Sequence, residues 1–222
     1  MSIQSHIESL RKSVPCNVKI VAVSKFHSTE TIREAYDAGQ RIFGESRVQE
    51  LVAKHPVLPA NIEWHFVGTL QRNKVKQIAP FVSLIHSLEN ERLMLEIERQ
   101  GAVNNRVIPC LLQIHIAEEE TKSGFSPEEC RAFLAEGTWR NCPHVQLVGV
   151  MGMATFTEDF EKVRAEFRLL KSFFDEIKTS YFADDASFRE ISMGMSDDYP
   201  IATEEGSTMI RVGSLIFGTR ET

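Results

Sequence analysis

Lys25 ends the run Lys19-Ile20-Val21-Ala22-Val23-Ser24-Lys25, whose β-branched and apolar residues read as a strand buried on both faces. An amine at the rim of such a core attacks aldehydes whenever it is unprotonated. On position alone, a solvated strand-end lysine is the simpler reading. Two later segments combine glycine with hydroxyls. Ser192-Met193-Gly194-Met195-Ser196-Asp197-Asp198 leads into a helical stretch that Ser196 can cap. Arg211-Val212-Gly213-Ser214 leads into Leu215-Ile216-Phe217-Gly218, a candidate short helix. Both offer free backbone N–H groups of the kind that bind phosphate. Singly, each glycine–serine pair is more often a cap or a packing contact. Asp197 and Asp198 suit a helix N-terminus but repel an anion, so their side chains are expected to point away.

An aldehyde-seeking amine and a phosphate cradle at one mouth together fit pyridoxal phosphate (PLP), which carries both complementary groups. Arg211 would then face the pyridine nitrogen. A permanently charged guanidinium there disfavours ring protonation and weakens the ring as an electron sink. An arginine paired with a surface acid is the plain alternative.

These residues can meet only if many strand ends share one rim. The sequence alternates strand and helix signals from end to end. After the first strand, Ile32, Ala35 and Tyr36 share a helical face, with Gly39 as its stop. Residues 41–44, 63–68, 82–86, 107–116, 145–151, 188–193 and 209–212 read as further strands. Helical patterns separate them at 48–54, 71–78, 90–100 with Gly101 as stop, 127–136 with Gly137 as stop, and about 197–205. A long helix carries an apolar stripe of Phe160, Val163, Phe167, Leu170, Phe174 and Ile177. Ile3, Ile7, Leu10 and Val14 predict an extra amphipathic N-terminal helix. About eight βα units without a Gly/Pro/Ser-rich linker predict one α/β domain over residues 1–222, a closed (β/α)8 TIM barrel. An open doubly wound sheet is the rival. In a barrel, phosphate sits at the loops after strands seven and eight, where the two glycine–hydroxyl segments fall.

Composition narrows the function classes. Of 222 residues, 42% are hydrophobic and 25% charged, enough for one sizeable core and incompatible with a disordered chain. Lys plus Arg total 25 against 31 for Asp plus Glu, a net charge of -6, so nucleic-acid binding lacks its usual basic surplus. No apolar stretch is long enough to span a bilayer. Cys16, Cys110, Cys130 and Cys142 form no C-x-x-C pair, which argues against a zinc ribbon or a disulfide framework and for a reducing cytoplasm. His65, His86 and His115 fall in different strands without metal-ligand spacing and read as core or rim histidines. Met151, Met153, Met193 and Met195 read as barrel packing. The basic stretch from Arg72 to Lys76 reads most simply as a solvated face.

Several motifs in one order resemble the YggS/PROSC group of pyridoxal phosphate homeostasis proteins. They are Ala22-Val23-Ser24-Lys25, Phe43-Gly44-Glu45 with Val48-Gln49-Glu50, Trp64-His65-Phe66-Val67-Gly68 with Leu70-Gln71-Arg72-Asn73-Lys74, and Lys122-Ser123-Gly124. Ser192-Met193-Gly194-Met195-Ser196, Arg211-Val212-Gly213 and Phe217-Gly218-Thr219-Arg220 continue the likeness. The resemblance implies a barrel like the alanine racemase N-terminal domain. It implies PLP as a Schiff base on Lys25, Arg211 at the ring nitrogen, and phosphate contacts around Ser196, Gly213 and Ser214. Members carry Asn-Tyr after Phe-Gly-Glu, whereas this chain has Ser46-Arg47.

A racemase needs two bases on opposite faces of the substrate, and in alanine racemase the second is a tyrosine delivered by a further β-domain across a dimer interface. Eight βα units use this whole sequence, and Tyr36, Tyr181 and Tyr199 have no evident route to the opposite face. The expectation is therefore a cytoplasmic, monomeric PLP carrier in vitamin B6 homeostasis, with PLP-dependent apo-enzymes as recipients and neither nucleic acid nor membrane as partner. A slow or specialised PLP-dependent amino-acid racemase is the alternative.

Overall fold

The computed structural model describes residues 2–118 and 123–218. Lys122, Thr219 and Arg220 of the motifs above lie outside them. Eight parallel strands close into a barrel in sequence order: β1 (Lys19–Val23), β2 (Ile42–Glu45), β3 (Glu63–Phe66), β4 (Leu84–Leu88), β5 (Ile108–Gln113), β6 (Val145–Met151), β7 (Glu190–Ser192) and β8 (Met209–Val212). Closure comes from β1 pairing with β8, with Ala22 opposite Val212, and this excludes the open sheet.

Outside the strands lie α1 (Ile3–Ser13), α2 (Thr29–Asp37), α3 (Val48–Lys54), α4 (Val75–Ile78), α5 (Glu91–Val103), α6 (Pro127–Glu136), α7 (Phe160–Tyr181), α8 (Tyr199–Glu204) and α9 (Ser214–Phe217). Their apolar faces meet outward-pointing strand residues such as Ala22, Phe43, Trp64, Ile85, Ile210 and Val212 in the main core. Val21, Leu84, Leu111, Val148, Met151 and Met209 fill a second core. The strand period of two therefore sorts each strand between helix layer and barrel interior.

Several boundaries differ from the sequence reading, each for a local reason. α5 runs past Gly101 to Val103, and the chain turns at Asn105, whose φ is 50°. Gly101 is a packing glycine instead, since a Cβ there would lie 2.6 Å from the His144 Cβ. The expected helix over 71–78 splits into a 3-10 turn at Arg72–Lys74 and the single turn of α4. Phe160 is 59% exposed at the first position of α7, while Val163, Phe167, Leu170, Phe174 and Ile177 are buried as expected. Ser196 does not cap α8. The turn 196–198 closes with the Met195 N–H donating to the Asp198 carboxylate, and the helix begins at Tyr199 with Pro200 in its first turn.

A polar column occupies the barrel interior beneath the strands' carboxyl ends. Arg211 Nη1 donates to Ser192 Oγ at 2.6 Å, Ser192 Oγ lies 3.0 Å from His86 Nδ1, and His86 Nε2 lies 3.0 Å from His65 Nδ1. Burial holds His65 down at about 3, with the charge of Lys19 adding to it. Burial, then His65 and Arg211, hold His86 well below the usual imidazole range.

Two predictions follow from this architecture. Gly149 sits where the β5–β6 register shifts, at φ 153°, and a Cβ there would lie 1.8 Å from the Glu190 carbonyl oxygen. Gly149→Ala should therefore cost about 3 kcal/mol or more in urea unfolding; a loss below about 1 kcal/mol would contradict the contact. The two histidines stay neutral in the fold but take up protons when unfolded below about pH 6.5, so stability must fall as pH falls through that point. Each contributes a slope of up to about 1.4 kcal/mol per pH unit between about pH 6 and pH 4. Replacing both by Gln should flatten the slope in that window.

Candidate functional site

The turn after β1 is held from below before Lys25 enters it. Glu45 at the end of β2 is buried; its Oε1 accepts from Ser24 Oγ at 2.6 Å and from Lys54 Nζ at 2.8 Å. Lys54, itself buried on α3, also donates to the Ser24 carbonyl and to Glu50 Oε2. Burial raises the Glu45 carboxyl above its ordinary value, with Lys54 and Ser24 opposing. Burial works against Glu50 too, but the Phe26 N–H and Lys54 outweigh it and hold its carboxyl low. The Phe26 amide donates to Glu50 at 2.7 Å, and the Arg47 guanidinium lies 4.4 Å over the Phe26 ring. These contacts clamp Phe26 at φ 68°, a left-handed backbone that a bulky residue adopts only under constraint. Lys25 thus lies in a braced turn two residues beyond β1, not on the strand itself, and is half-buried.

Beside β1, the neighbouring strand β8 delivers Arg211 inward. Arg211 is 5% exposed, and its Nη groups donate to the Ser192 carbonyl, Ser192 Oγ and the Gly152 carbonyl. Burial lowers it to about 10, with Asp198 opposing, so it stays charged near neutrality. After β8 the chain passes through Gly213 into α9, where Phe217 N–H returns to the Gly213 carbonyl. The amides of Ser214 and Leu215 open this turn ahead of any intrahelical acceptor. Gly213 packs against β1 so closely that a Cβ would lie 3.1 Å from the Val23 carbonyl oxygen.

One cavity of about 460 Å³ opens between these parts, and Lys25, Arg211, Ser196, Gly213 and Ser214 all line it. The five residues singled out in the sequence therefore share one mouth at the carboxyl ends of the strands. Its volume is that of a small-molecule pocket. An amine, a set of hydroxyls and free amides, and a fixed cation share its walls. Such a set can hold a flat ligand that has an electrophilic carbonyl and an anionic tail.

Other features were not foreseen. Met153 and Met195 line the cavity and do not serve barrel packing alone, whereas Met151 and Met193 are buried. Exposed Asp197 lines the rim, against the expectation that both acids point away; Asp198 is turned back onto the Met195 amide. Ser46 also lines the cavity. The Glu45–Lys54–Glu50 brace went unread, although an acid directly after an apolar strand and a lysine four residues past another acid are its visible traces. The histidines were read as core or rim residues, but their column into Arg211 has no sequence signal. None of Tyr36, Tyr181 and Tyr199 lines the cavity; Tyr199 bonds Ser13 and Tyr36 bonds Asn61. No cluster of three metal-ligating side chains occurs among the described residues, nor is any described helix long and apolar enough to cross a membrane.

The profile of the alanine racemase N-terminal domain matches residues 1–221. The pyridoxal phosphate homeostasis protein of Aquifex aeolicus is 39% identical over 220 residues, which is 99% of this chain and 94% of that one. PipY of Synechococcus elongatus, solved with PLP bound, superposes with a TM-score of 0.88 at 35% identity, covering 98% of this chain and 100% of PipY. The alanine racemase of Clostridium difficile shares the fold alone: 12% identity and a TM-score of 0.74, with this chain spanning 57% of its length. The chain belongs to the pyridoxal phosphate homeostasis family, built on the alanine racemase N-terminal domain.

Proposed function

We propose that residues 1–222 form a single PLP-binding barrel domain that serves vitamin B6 homeostasis. The observation that carries this reading is that the amine, the buried guanidinium and the hydroxyl–amide rim line one cavity. Bound there, PLP supplies an aldehyde that an amine captures reversibly. Lys25 provides that amine from its braced turn at the mouth. Ser196, Gly213 and Ser214 take the phosphate through hydroxyls and open amides. Arg211 faces the ring nitrogen and, being charged itself, keeps a proton off it. The PLP-bound PipY structure and the names of the curated relatives support this assignment.

The chain acts as a carrier rather than a catalyst. Besides Lys25, the titratable side chains at the cavity are His27, Asp197 and Arg211 among the described residues, and His27 is stacked on Phe217 at 4.5 Å. That set lacks the tyrosine base of a racemase and sets a cation where an electron sink needs an acid. The protein works as a monomer in the cytoplasm and hands PLP to PLP-dependent apo-enzymes. Four free cysteines, with the buried Cys130 thiol pushed up to about 12 by its surroundings, suit a reducing compartment.

Borohydride treatment of PLP-loaded protein should fix one adduct on Lys25, and Lys25→Ala should lose it; a comparable adduct in that variant would overturn the assignment. Ser196→Ala and Gly213→Val should each weaken PLP retention about tenfold. Both should leave reactivity toward unphosphorylated pyridoxal nearly unchanged, and equal loss of both would remove the phosphate cradle. With a panel of L-amino acids in deuterated water, α-proton loss should stay slow, while turnover near 10 per second, a typical enzyme rate, would make the protein a racemase.

A further inference from the structure

The polar column below Arg211 is used by nothing described so far. It is built from inward positions of four strands, β8, β7, β4 and β3, and all four side chains are buried. His65 at its foot is 4% exposed and lines a second cavity, of about 250 Å³, whose walls include Lys19, Glu63 and Glu190. Lys19 pairs with Glu190 there at 2.6 Å. The column therefore links the upper mouth to a separate cavity at the strands' amino ends.

Proton bookkeeping gives the column a direction. A guanidinium only donates. Ser192 Oγ has Arg211 and His86 as its hydrogen-bond neighbours among the described residues, so its own proton goes to His86 Nδ1. His86 must then carry its proton on Nε2 and donate to His65 Nδ1. His65 in turn carries its proton on Nε2. The reverse sense would leave the Ser192 proton without an acceptor in a fully buried site, which proteins avoid. Depression of both imidazoles by burial agrees with two neutral rings.

We infer that His65 and His86 are positioning residues for Arg211: neutral rings of fixed tautomer that orient Ser192, and through it the guanidinium at the base of the mouth. With His86 accepting its proton, Ser192 Oγ turns its lone pairs toward Arg211 Nη1, and the Ser192 and Gly152 carbonyls complete the clamp. A planar guanidinium held at three points cannot rotate toward another acceptor. The functional part of this inference rests on Arg211 facing a bound PLP ring; the column itself can be measured without ligand.

The test begins with ligand-free protein labelled with ¹⁵N at histidine and arginine. Long-range ¹H–¹⁵N correlation should show His65 and His86 as neutral Nε2–H tautomers from pH 8 to pH 5, and an Nδ1–H or charged His86 overturns the column's direction. Slow exchange of the Arg211 Nη protons should be lost at least tenfold in His86→Leu and largely restored in His86→Gln. Unchanged exchange in a folded His86→Leu overturns the positioning role even if no PLP is present. In PLP-loaded protein, His86→Leu should shift the visible maximum by several nanometres and weaken PLP retention about fivefold. If wild type takes PLP on Lys25 but the His86→Leu spectrum does not move, the inference fails alone. If wild type takes no PLP, the cofactor reading fails, and the tautomer and exchange results still decide the column.

Discussion

The site depends on one pairing, that of β1 with β8. Lys25 and Gly213 are separated by most of the chain, yet Ala22 opposite Val212 sets the turn after β1 beside the turn after β8. The contact is close enough that the Val23 carbonyl lies within van der Waals reach of any side chain at position 213. An open sheet of the same strands would leave these two turns at opposite edges. Barrel closure thus explains why Lys25 and the glycine–hydroxyl turns share a cavity rather than two surfaces.

Placing Arg211 inside the barrel imposes a second constraint. A buried charge is tolerated only when it is hydrogen-bonded, and here two backbone carbonyls and a serine hydroxyl accept from the guanidinium. The serine then needs an acceptor of its own, which His86 supplies, and His86 needs His65. One buried cation has drawn a column of polar residues into what would otherwise be an apolar barrel. The Glu45–Lys54–Glu50 brace under Lys25 follows the same logic on the other side of the mouth. One device fixes the Arg211 guanidinium and the other fixes the backbone on either side of Lys25.

Much of this was legible in the sequence. Alternation of apolar runs with amphipathic stretches gave the eight strands, and Val145–Met151, Met209–Val212 and Pro127–Glu136 appear with the expected bounds. The residues that line the mouth could be picked out because a lysine after a strand and glycine–hydroxyl turns after the last two strands each have a local chemical meaning. Less legible were features set by tertiary contacts. Gly101 looked like a helix stop because its role, close approach to His144, is not local. Ser196 looked like a cap for a different, local reason: a hydroxyl before a helical stretch reads as an N-cap, whereas Asp198 closes a turn onto the Met195 amide instead. The histidine column escaped notice because its members come from separate strands and meet only inside the closed barrel.

The most direct measurement is a crystal structure of this protein grown with PLP. The account predicts continuous density from Lys25 Nζ into the ligand, the ring nitrogen facing Arg211, and the phosphate against Ser196, Gly213 and Ser214. A ligand bound at the opposite pole of the barrel, or one in the upper mouth with its phosphate turned away from that rim, would contradict it.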